Sequence, residues 1–294
     1  MSDTREDKNN VFTQEQPPRE VVRNAPNVAP QADDWAKELG IEIPVETVPL
    51  PSLGKVYPVT DPLHGKSTIE IKSMTAKEED ILTSRALIKN GTVITKLLQS
   101  CVIDKTINVQ KMLSGDRNAL MVAIRVTGYG SNYESHVDCP ACGDTQEHMF
   151  SLSELPIKTL ELEPTQPGAN EFSVILPKTK ANVHFKFLTG LDEENITTTA
   201  NRKKKAKILA DNAVTTRLQH SIVSVNGKTD RTLISKFISH MPAIDSLTLR
   251  EYIDNNEPGI DMTSEIMCTN PDCGEVSEVT VPLGVSFFWP NIKK

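Results

Sequence analysis

Four of the five cysteines in this 294-residue chain lie in two short segments. Cys139 and Cys142 form a Cys-Pro-Ala-Cys segment, and Cys268 and Cys273 close a longer one, Cys-Thr-Asn-Pro-Asp-Cys. Thiols at such spacings can bind a metal ion or form a redox couple. The fifth, Cys101, stands alone in an apolar helical pattern, where we expect a buried core thiol.

The residues around the first pair favour metal binding over redox chemistry. A redox Cys-x-x-Cys pair begins a helix that follows a buried strand. Here Gly143 and Asp144 follow the pair, and the next residues alternate as in a β-strand. Both segments end in Cys-Gly, and a glycine there lets the turn direct N–H groups toward sulfur. The first segment therefore resembles the knuckle of rubredoxin-like zinc ribbons, and the second resembles a widened version of it.

Two such knuckles supply four thiolates, which suit a closed tetrahedral zinc site with a structural role. We predict one shared Zn²⁺ ion, and its ligands would be Cys139, Cys142, Cys268 and Cys273. Two separate half sites are one alternative, and a first site completed by His136 or His148 is another. The second segment has no histidine at the equivalent positions, which favours four cysteines.

The predicted site has no open coordination position, which a catalytic zinc requires. The sequence also contains no serine-hydrolase elbow, zinc-protease helix motif or phosphate-binding glycine loop. We therefore expect the chain not to be an enzyme.

Each cysteine segment is predicted to form the turn of a β-hairpin, and a strand and several helices precede each hairpin. A gapless shift of 129 positions places Asp116 on Asp245 and Cys139 on Cys268. The other identities under this shift are Leu120 with Leu249, Ile124 with Ile253, Gly130 with Gly259 and Ser135 with Ser264. We predict an α+β fold of two degenerate copies of a strand–helices–β-hairpin unit, joined by the shared four-cysteine, zinc-ribbon-like site.

Local signals predict where several helices begin. Thr75 and Glu78 match a capping box before an apolar run. Asp116 and Asp245 are each expected to cap the helix that leads to a cysteine hairpin.

The first 50 residues differ from the rest because they are rich in proline and poor in apolar residues. Such a segment cannot bury enough surface to fold alone, so residues 1–50 are predicted to be a disordered or extended arm. An arm that orders on a neighbouring subunit, with Trp35 as an anchor, is the alternative. The predicted copies span residues 51–155 and 156–294, each ending in a zinc knuckle.

Composition excludes several classes of protein. The net charge of −7 argues against general attraction to nucleic acid or anionic membranes. Apolar runs are far shorter than the roughly 20 residues that span a bilayer. The polar N-terminus has no signal-peptide pattern, which predicts a cytoplasmic protein with reduced thiols.

The C-terminal segment concentrates aromatic residues in a chain that is poor in them. Phe287, Phe288 and Trp289 lie in a row before Pro290. They either form a last strand that closes the core or an exposed tip that contacts a partner.

Several motifs in a fixed order resemble the baseplate hub and hub-assembly proteins of contractile-tailed phages of the T-even type. They are the segments 50–58, 69–75, 113–117 and 128–130, the two cysteine knuckles, and Phe-Phe-Trp-Pro at 287–290. The resemblance implies a non-enzymatic structural or assembly role in the central hub, with other baseplate or hub proteins as partners. Such parts assemble in the host cytoplasm and, if retained, belong to the virion tail.

A zinc-ribbon protein that binds nucleic acid is the alternative function. However, the residues near the knuckles are acidic, whereas a surface that contacts phosphate carries Lys or Arg. The acidic residues are Asp138, Asp144, Glu147, Asp272, Glu275 and Glu278.

Overall fold

A computed structural model describes residues 39–41, 44–205 and 212–289. Most of the predicted arm, including Trp35, lies outside these residues. The described residues from Pro44 onward belong to one compact unit. Residues 44–155 are called the first half of the chain, and residues 156–289 are called the second half.

The first half contains a pair of strands, a run of helices and a hairpin. In chain order its elements are β1 (Val45–Pro49), β2 (Thr68–Lys72), α1 (Ala76–Thr83), α2 (Arg85–Asn90), α3 (Val93–Cys101), α4 (Ser114–Tyr129), β3 (Asn132–Asp138) and β4 (Thr145–Ser151). Strand β1 lies within the range that the sequence assigned to the arm.

The second half also runs from strands through helices to a hairpin. Its elements are β5 (Ile157–Lys158), β6 (Phe172–Ile175), β7 (Asn182–Phe185), α5 (Gly190–Lys205), α6 (Ala213–Ser221), β8 (Ile222–Val225), α7 (Arg231–His240), α8 (Ala243–Asn256), β9 (Gly259–Ile260), β10 (Thr263–Met267), β11 (Val276–Thr280) and a 3₁₀ helix, Val285–Phe288. The expected mixture of helices and small antiparallel sheets is confirmed.

The sheets of the two halves are built in similar ways. β1 pairs with β2, and Val102, the residue directly after α3, bridges to Ile71 in β2. In the second half β7 lies between β6 and β8, and β8 follows α6 directly. In both halves the segment that leaves a helix therefore pairs with the later strand of an antiparallel pair, which is β2 in the first half and β7 in the second.

A close backbone contact joins the halves. Gly115 in α4 lies against Pro258 and Gly259, and a Cβ atom at Gly115 would be 1.7 Å from the Pro258 carbonyl oxygen. Beside this contact β5 pairs with β9, so Ile157 lies opposite Ile260. Glycine is required at position 115 because any side chain would overlap the neighbouring backbone.

Buried apolar side chains from both halves join one cluster within the described residues. The first half contributes Leu97 and Leu120, and the second contributes Phe185 and Leu249, all fully buried. Cys101 is also fully buried, which confirms its expected place in the core.

The terminal aromatic residues close the core instead of forming an exposed tip. Phe287 and Phe288 are fully buried in the 3₁₀ helix, and the Phe287 ring centroid lies 5.0 Å from that of Tyr133 in β3. Of the two interpretations that the sequence left open, the burial of both phenylalanines favours closing of the core over contact with a partner, because packing on the hairpin removes them from solvent. Trp289 is half-buried against the same core.

One predicted helix start is confirmed, and two aspartates have a different role. The capping box of Thr75 and Glu78 is present, with the Thr75 N–H donating to Glu78 at 3.0 Å. Asp116 and Asp245, however, are not the caps, because α4 is capped at Leu113 and α8 at Pro242. Each aspartate is the third residue of its helix and is fully buried.

These two aspartates hold the turns that follow β1 and β6. Asp116 accepts hydrogen bonds from the N–H of Ser52 at 2.9 Å and from its hydroxyl at 2.6 Å. Asp245 accepts from the N–H groups of Lys178 at 2.7 Å and Thr179 at 2.9 Å. Each bond crosses more than sixty residues of sequence and fixes the helix that leads to a cysteine hairpin.

Candidate metal centre

Each hairpin places its first cysteine directly after a strand. Cys139 follows β3, and its N–H donates to the carbonyl of Asp144 at 2.8 Å. Cys268 follows β10, and its N–H donates to the carbonyl of Glu275 at 2.9 Å. The hydrogen bonding between the strands therefore continues up to the first cysteine of each knuckle. This pairing fixes the backbone at Cys139 and Cys268 and with it the direction of their side chains.

Glycines close both knuckles as the sequence indicated. Gly143 has a φ angle of 80° and Gly274 one of 57°, both in the left-handed region that favours glycine. The N–H of Gly143 donates to the carbonyl of Cys139 at 2.8 Å, and that of Gly274 donates to the carbonyl of Asn270 at 3.1 Å. The longer second knuckle is thus closed in the same way as the first, by a hydrogen bond from the glycine N–H to the carbonyl of the residue four positions earlier.

The two knuckles bring four sulfur atoms together. The Sγ atoms of Cys139, Cys142, Cys268 and Cys273 all lie within 4.8 Å of one another, and the Cys142 and Cys268 sulfurs are 3.6 Å apart. Sulfurs around a tetrahedral zinc ion at a Zn–S distance of about 2.3 Å are about 3.8 Å apart. The spacing therefore fits one four-coordinate metal ion.

The four cysteines differ in exposure. Cys139 and Cys268, the first cysteine of each knuckle, are buried, whereas Cys142 is exposed and Cys273 is half-exposed. Each hairpin thus offers an inner and an outer sulfur. The group that could hold a metal ion among the described residues contains no histidine. His136 is exposed, and the His148 ring packs against Phe150 with centroids 4.7 Å apart.

Backbone N–H groups already point at the sulfurs. Those of Cys142 and Ala141 lower the pKa of Cys139 to about 7. The N–H of Asp144 likewise favours the Cys142 thiolate, but the three neighbouring sulfurs, together with some loss of hydration, outweigh it and raise the pKa of Cys142 to about 12. Four thiolates side by side repel one another, so a cation is needed to keep them all ionised.

A statistical model of the T4 bacteriophage base plate protein family matches residues 47–289. The chain belongs to this family. No curated protein and no solved structure matches the chain significantly. The match covers both hairpins and all four clustered cysteines of this base plate protein. It confirms the resemblance found in the sequence and indicates a component of the phage tail.

A buried glutamine of the base plate protein fastens one hairpin to the other. Gln146 in β4 donates from Nε2 to the carbonyl of Met267 at 2.9 Å. Its Oε1 accepts from the N–H of Thr269 at 2.7 Å. The role of Gln146 was not predicted. Its one signal was a polar residue that falls on the inward side of the alternating strand pattern.

A buried arginine connects the first hairpin to the helix before it and to the C-terminal 3₁₀ helix. Arg125 in α4 donates to the carbonyls of Phe287 at 3.0 Å, Gly130 at 2.8 Å and Asn132 at 3.0 Å. The guanidinium group therefore ties the end of α4, the start of β3 and the 3₁₀ helix together. This contact was also missed, because an arginine in a helical pattern is ordinarily assigned to the surface.

No helix within the described ranges is long and apolar enough to cross a membrane.

Proposed function

We propose that the protein is a non-enzymatic structural or assembly component of the central hub of a contractile phage tail baseplate. It would act through contacts with other baseplate proteins and would assemble in the host cytoplasm. Membership in the base plate family supports this role. The observation that carries the proposal is the meeting of two distant hairpins at one cluster of four sulfurs.

The proposed ion at this cluster is a structural Zn²⁺. Four cysteine thiolates favour zinc, and four ligands leave no position for a substrate or for an activated water. When bound, the ion would cross-link hairpins that lie more than 120 residues apart in sequence. Apparent binding energies of structural zinc are on the order of 10 kcal/mol, comparable to the whole stability of a domain.

We further propose that the halves are degenerate copies of one unit, with the boundaries given by the sequence at residues 51–155 and 156–294. Three equivalent contacts support this. In each half a Leu-Pro turn follows a strand, at Leu50 in the first half and at Leu176 in the second. A backbone N–H group directly after this turn donates a hydrogen bond to a buried aspartate, Asp116 or Asp245. Each half also pairs the segment after a helix with β2 or β7, the later strand of an antiparallel pair, and each contains a cysteine hairpin after its last long helix.

The surface of the hairpins supports protein contacts over nucleic-acid contacts. Residues 132–151 and 259–281 contain no Lys or Arg. Because phosphate contacts depend on such cations, a nucleic-acid role is the disfavoured alternative. At low salt, absence of a DNA or RNA mobility shift is the expected result.

Metal analysis tests the site. Inductively coupled plasma mass spectrometry should find one zinc ion per chain in the purified full-length protein. A chelator strong enough to remove that zinc should lower the melting temperature, and added zinc should restore it. A stable, fully folded chain without any metal would overturn the site.

Quantitative mass spectrometry of particles tests the role. A structural part should be recovered from purified tails in a fixed ratio to other baseplate proteins. An assembly factor should be recovered in assembly intermediates and be missing from finished particles. Absence from both, while the protein is abundant in infected cells, would contradict a baseplate role.

A further inference from the structure

The β10–β11 hairpin has an outer face whose composition is unusual for a solvent-facing sheet. The face consists of three cross-strand pairs, which are Thr263 with Thr280, Glu265 with Glu278 and Met267 with Val276. All six residues are exposed. The opposite side of the hairpin buries Ile266 and Val279 in the core.

The middle pair places two like charges directly opposite each other. Cβ atoms of residues paired across antiparallel strands lie about 5 Å apart, and like charges there destabilise the sheet. Within the part of the chain that the structure describes, neither Glu265 nor Glu278 makes a side-chain hydrogen bond or an ion pair. This repulsion would be relieved by a cationic group placed between the two carboxylates.

The next pair is apolar and open to solvent. Met267 is 65% exposed and Val276 is 54% exposed, although both lie at the edge of the cysteine cluster. Met side chains adapt their shape and are frequent at protein-binding surfaces. The face thus presents two carboxylates next to a small apolar patch.

The first hairpin lacks both features at its corresponding positions. Three residues before its first cysteine it carries His136, opposite Glu147, where the second hairpin carries Glu265 opposite Glu278. One residue before that cysteine it carries Asp138, opposite Thr145, where the second hairpin has Met267. The pair of opposed glutamates and the apolar pair beside the cysteines are therefore specific to the second hairpin and are not a requirement of the knuckle. The first hairpin exposes a single apolar residue on this face, Met149, which is 53% exposed and lies opposite Glu134.

Charge over the wider region points to a basic partner. The segments 132–151 and 259–281 contain nine of the 39 acidic residues and none of the 32 Lys and Arg residues. The remainder of the chain therefore has 30 acidic and 32 basic residues, so the hairpins carry the negative charge of the protein. Complementary charge steers partners to such a surface and selects among them.

We propose that the outer face of β10–β11 docks a protein segment in which a Lys or Arg residue is followed by an apolar residue. The cationic side chain lies between Glu265 and Glu278, and the apolar side chain covers Met267 and Val276. The inference deepens the proposed scaffold role by naming a surface and the chemistry of its partner. Its test needs no phage particles and no metal removal, so its failure can be told apart from failure of that role.

Binding is measured with the zinc-loaded, full-length protein and a short fluorescein-labelled peptide with alternating Lys and Leu. Two control peptides replace either every Leu by Ser or every Lys by Glu. Fluorescence anisotropy near physiological salt should show the tightest binding for the Lys–Leu peptide. Equal binding of the Lys–Ser peptide, or no binding of the Lys–Leu peptide, would overturn the proposal.

Glu278→Lys is the decisive variant, and Glu147→Lys on the first hairpin is its matched control. We expect Glu278→Lys to weaken peptide binding by about tenfold or more, which is about 1.4 kcal/mol. It should also raise the melting temperature of the free protein, because Glu265 then faces an opposite charge. The control variant should change the dissociation constant by less than about twofold.

Other results would reject this assignment. If both variants weaken binding equally, the peptide senses general charge and not this face. If Glu278→Lys lowers the melting temperature while preserving binding, the two carboxylates do not repel each other as argued. If sedimentation shows self-association that Glu278→Lys abolishes, a second copy of this chain occupies the face.

Discussion

The two halves of the chain are most alike where they hold the cysteine hairpins and most different on the surfaces that face solvent. Asp116 and Asp245 fix the two helices that precede the hairpins, and Gly143 and Gly274 close both knuckles. The outer faces of the hairpins, by contrast, differ in their cross-strand pairs: Glu265 faces Glu278 in the second hairpin, whereas His136 faces Glu147 in the first. Packing constrains the inside of a unit, whereas an exposed face can take on a partner without disturbing it.

The largest expected effect tests whether the two hairpins share one ion. Cys139→Ser and Cys268→Ser should each release the zinc and destabilise the fold by several kcal/mol, from a total on the order of 10 kcal/mol. The double variant should be no worse than either single variant, because one ion is lost once. Denaturant unfolding and zinc analysis measure both effects.

Additive losses, with half of the zinc retained in each single variant, would show two separate sites. Cys101→Ala serves as the control. It removes a thiol from the core but should leave the zinc content unchanged.

Gly115→Ala tests the contact that has no counterpart in the second half. The new Cβ would overlap the Pro258 carbonyl, so we expect a loss of about 1–3 kcal/mol or more. The matching position, 129 residues later, is Ile244 in α8, which is 52% exposed. Ile244→Ala should change stability by less than about 0.5 kcal/mol. Thermal unfolding of both variants measures the difference, and equal effects would remove this distinction between the halves.

Asparagine substitutions should separate the two buried aspartates. Asp245 accepts from two backbone N–H groups, and Asn can satisfy only one of them, so Asp245→Asn should cost about 1–3 kcal/mol. Asp116 accepts partly from the hydroxyls of Ser52 and Tyr57, which can reverse and accept from an amide. Asp116→Asn should therefore cost less than about 1 kcal/mol.

The same pair should differ in pH dependence. Burial raises the pKa of Asp245, but the N–H groups of Lys178 and Thr179 outweigh it, and the pKa lies below its ordinary value. Its contribution is therefore present above the unfolded pKa and is lost as the pH falls through the folded pKa. Burial raises the pKa of Asp116, so its ionisation costs stability as the pH rises. In denaturant titrations below about pH 5, the free energy of unfolding should fall less steeply with decreasing pH in Asp245→Asn than in the unaltered protein, and Asp116→Asn should not show this change.

The smallest expected effect concerns a contact that the halves share. Lys105 donates to the carbonyl of Val102 at 2.6 Å after α3, and Arg231 donates to the carbonyl of Ile222 at 2.7 Å after α6. Cations at helix C-termini stabilise by about 0.3–1 kcal/mol. Lys105→Met and Arg231→Met should each lower the melting temperature by similar small amounts. A large effect of only one substitution would show that the Lys105 and Arg231 contacts are not equivalent in the two halves.

Features that depend on neighbouring residues could be predicted from the sequence. The capping box at Thr75 and Glu78 was confirmed because its partners are three positions apart. The roles of Asp116 and Asp245 were wrong because the sequence suggests a cap, while their partners lie more than sixty residues away. The burial of Phe287 depends on Tyr133 and Arg125, which lie even farther away along the chain.

By itself, the sequence determined the cysteine spacing, the knuckle glycines and the alternation that produces hairpins, since all of these act over a few residues. Only the tertiary structure decided that the four sulfurs meet, that Gln146 ties one knuckle to the other, and that Glu265 faces Glu278. The physical reason is distance along the chain. Hydrogen bonds and packing between remote segments depend on the whole core, which no local pattern specifies.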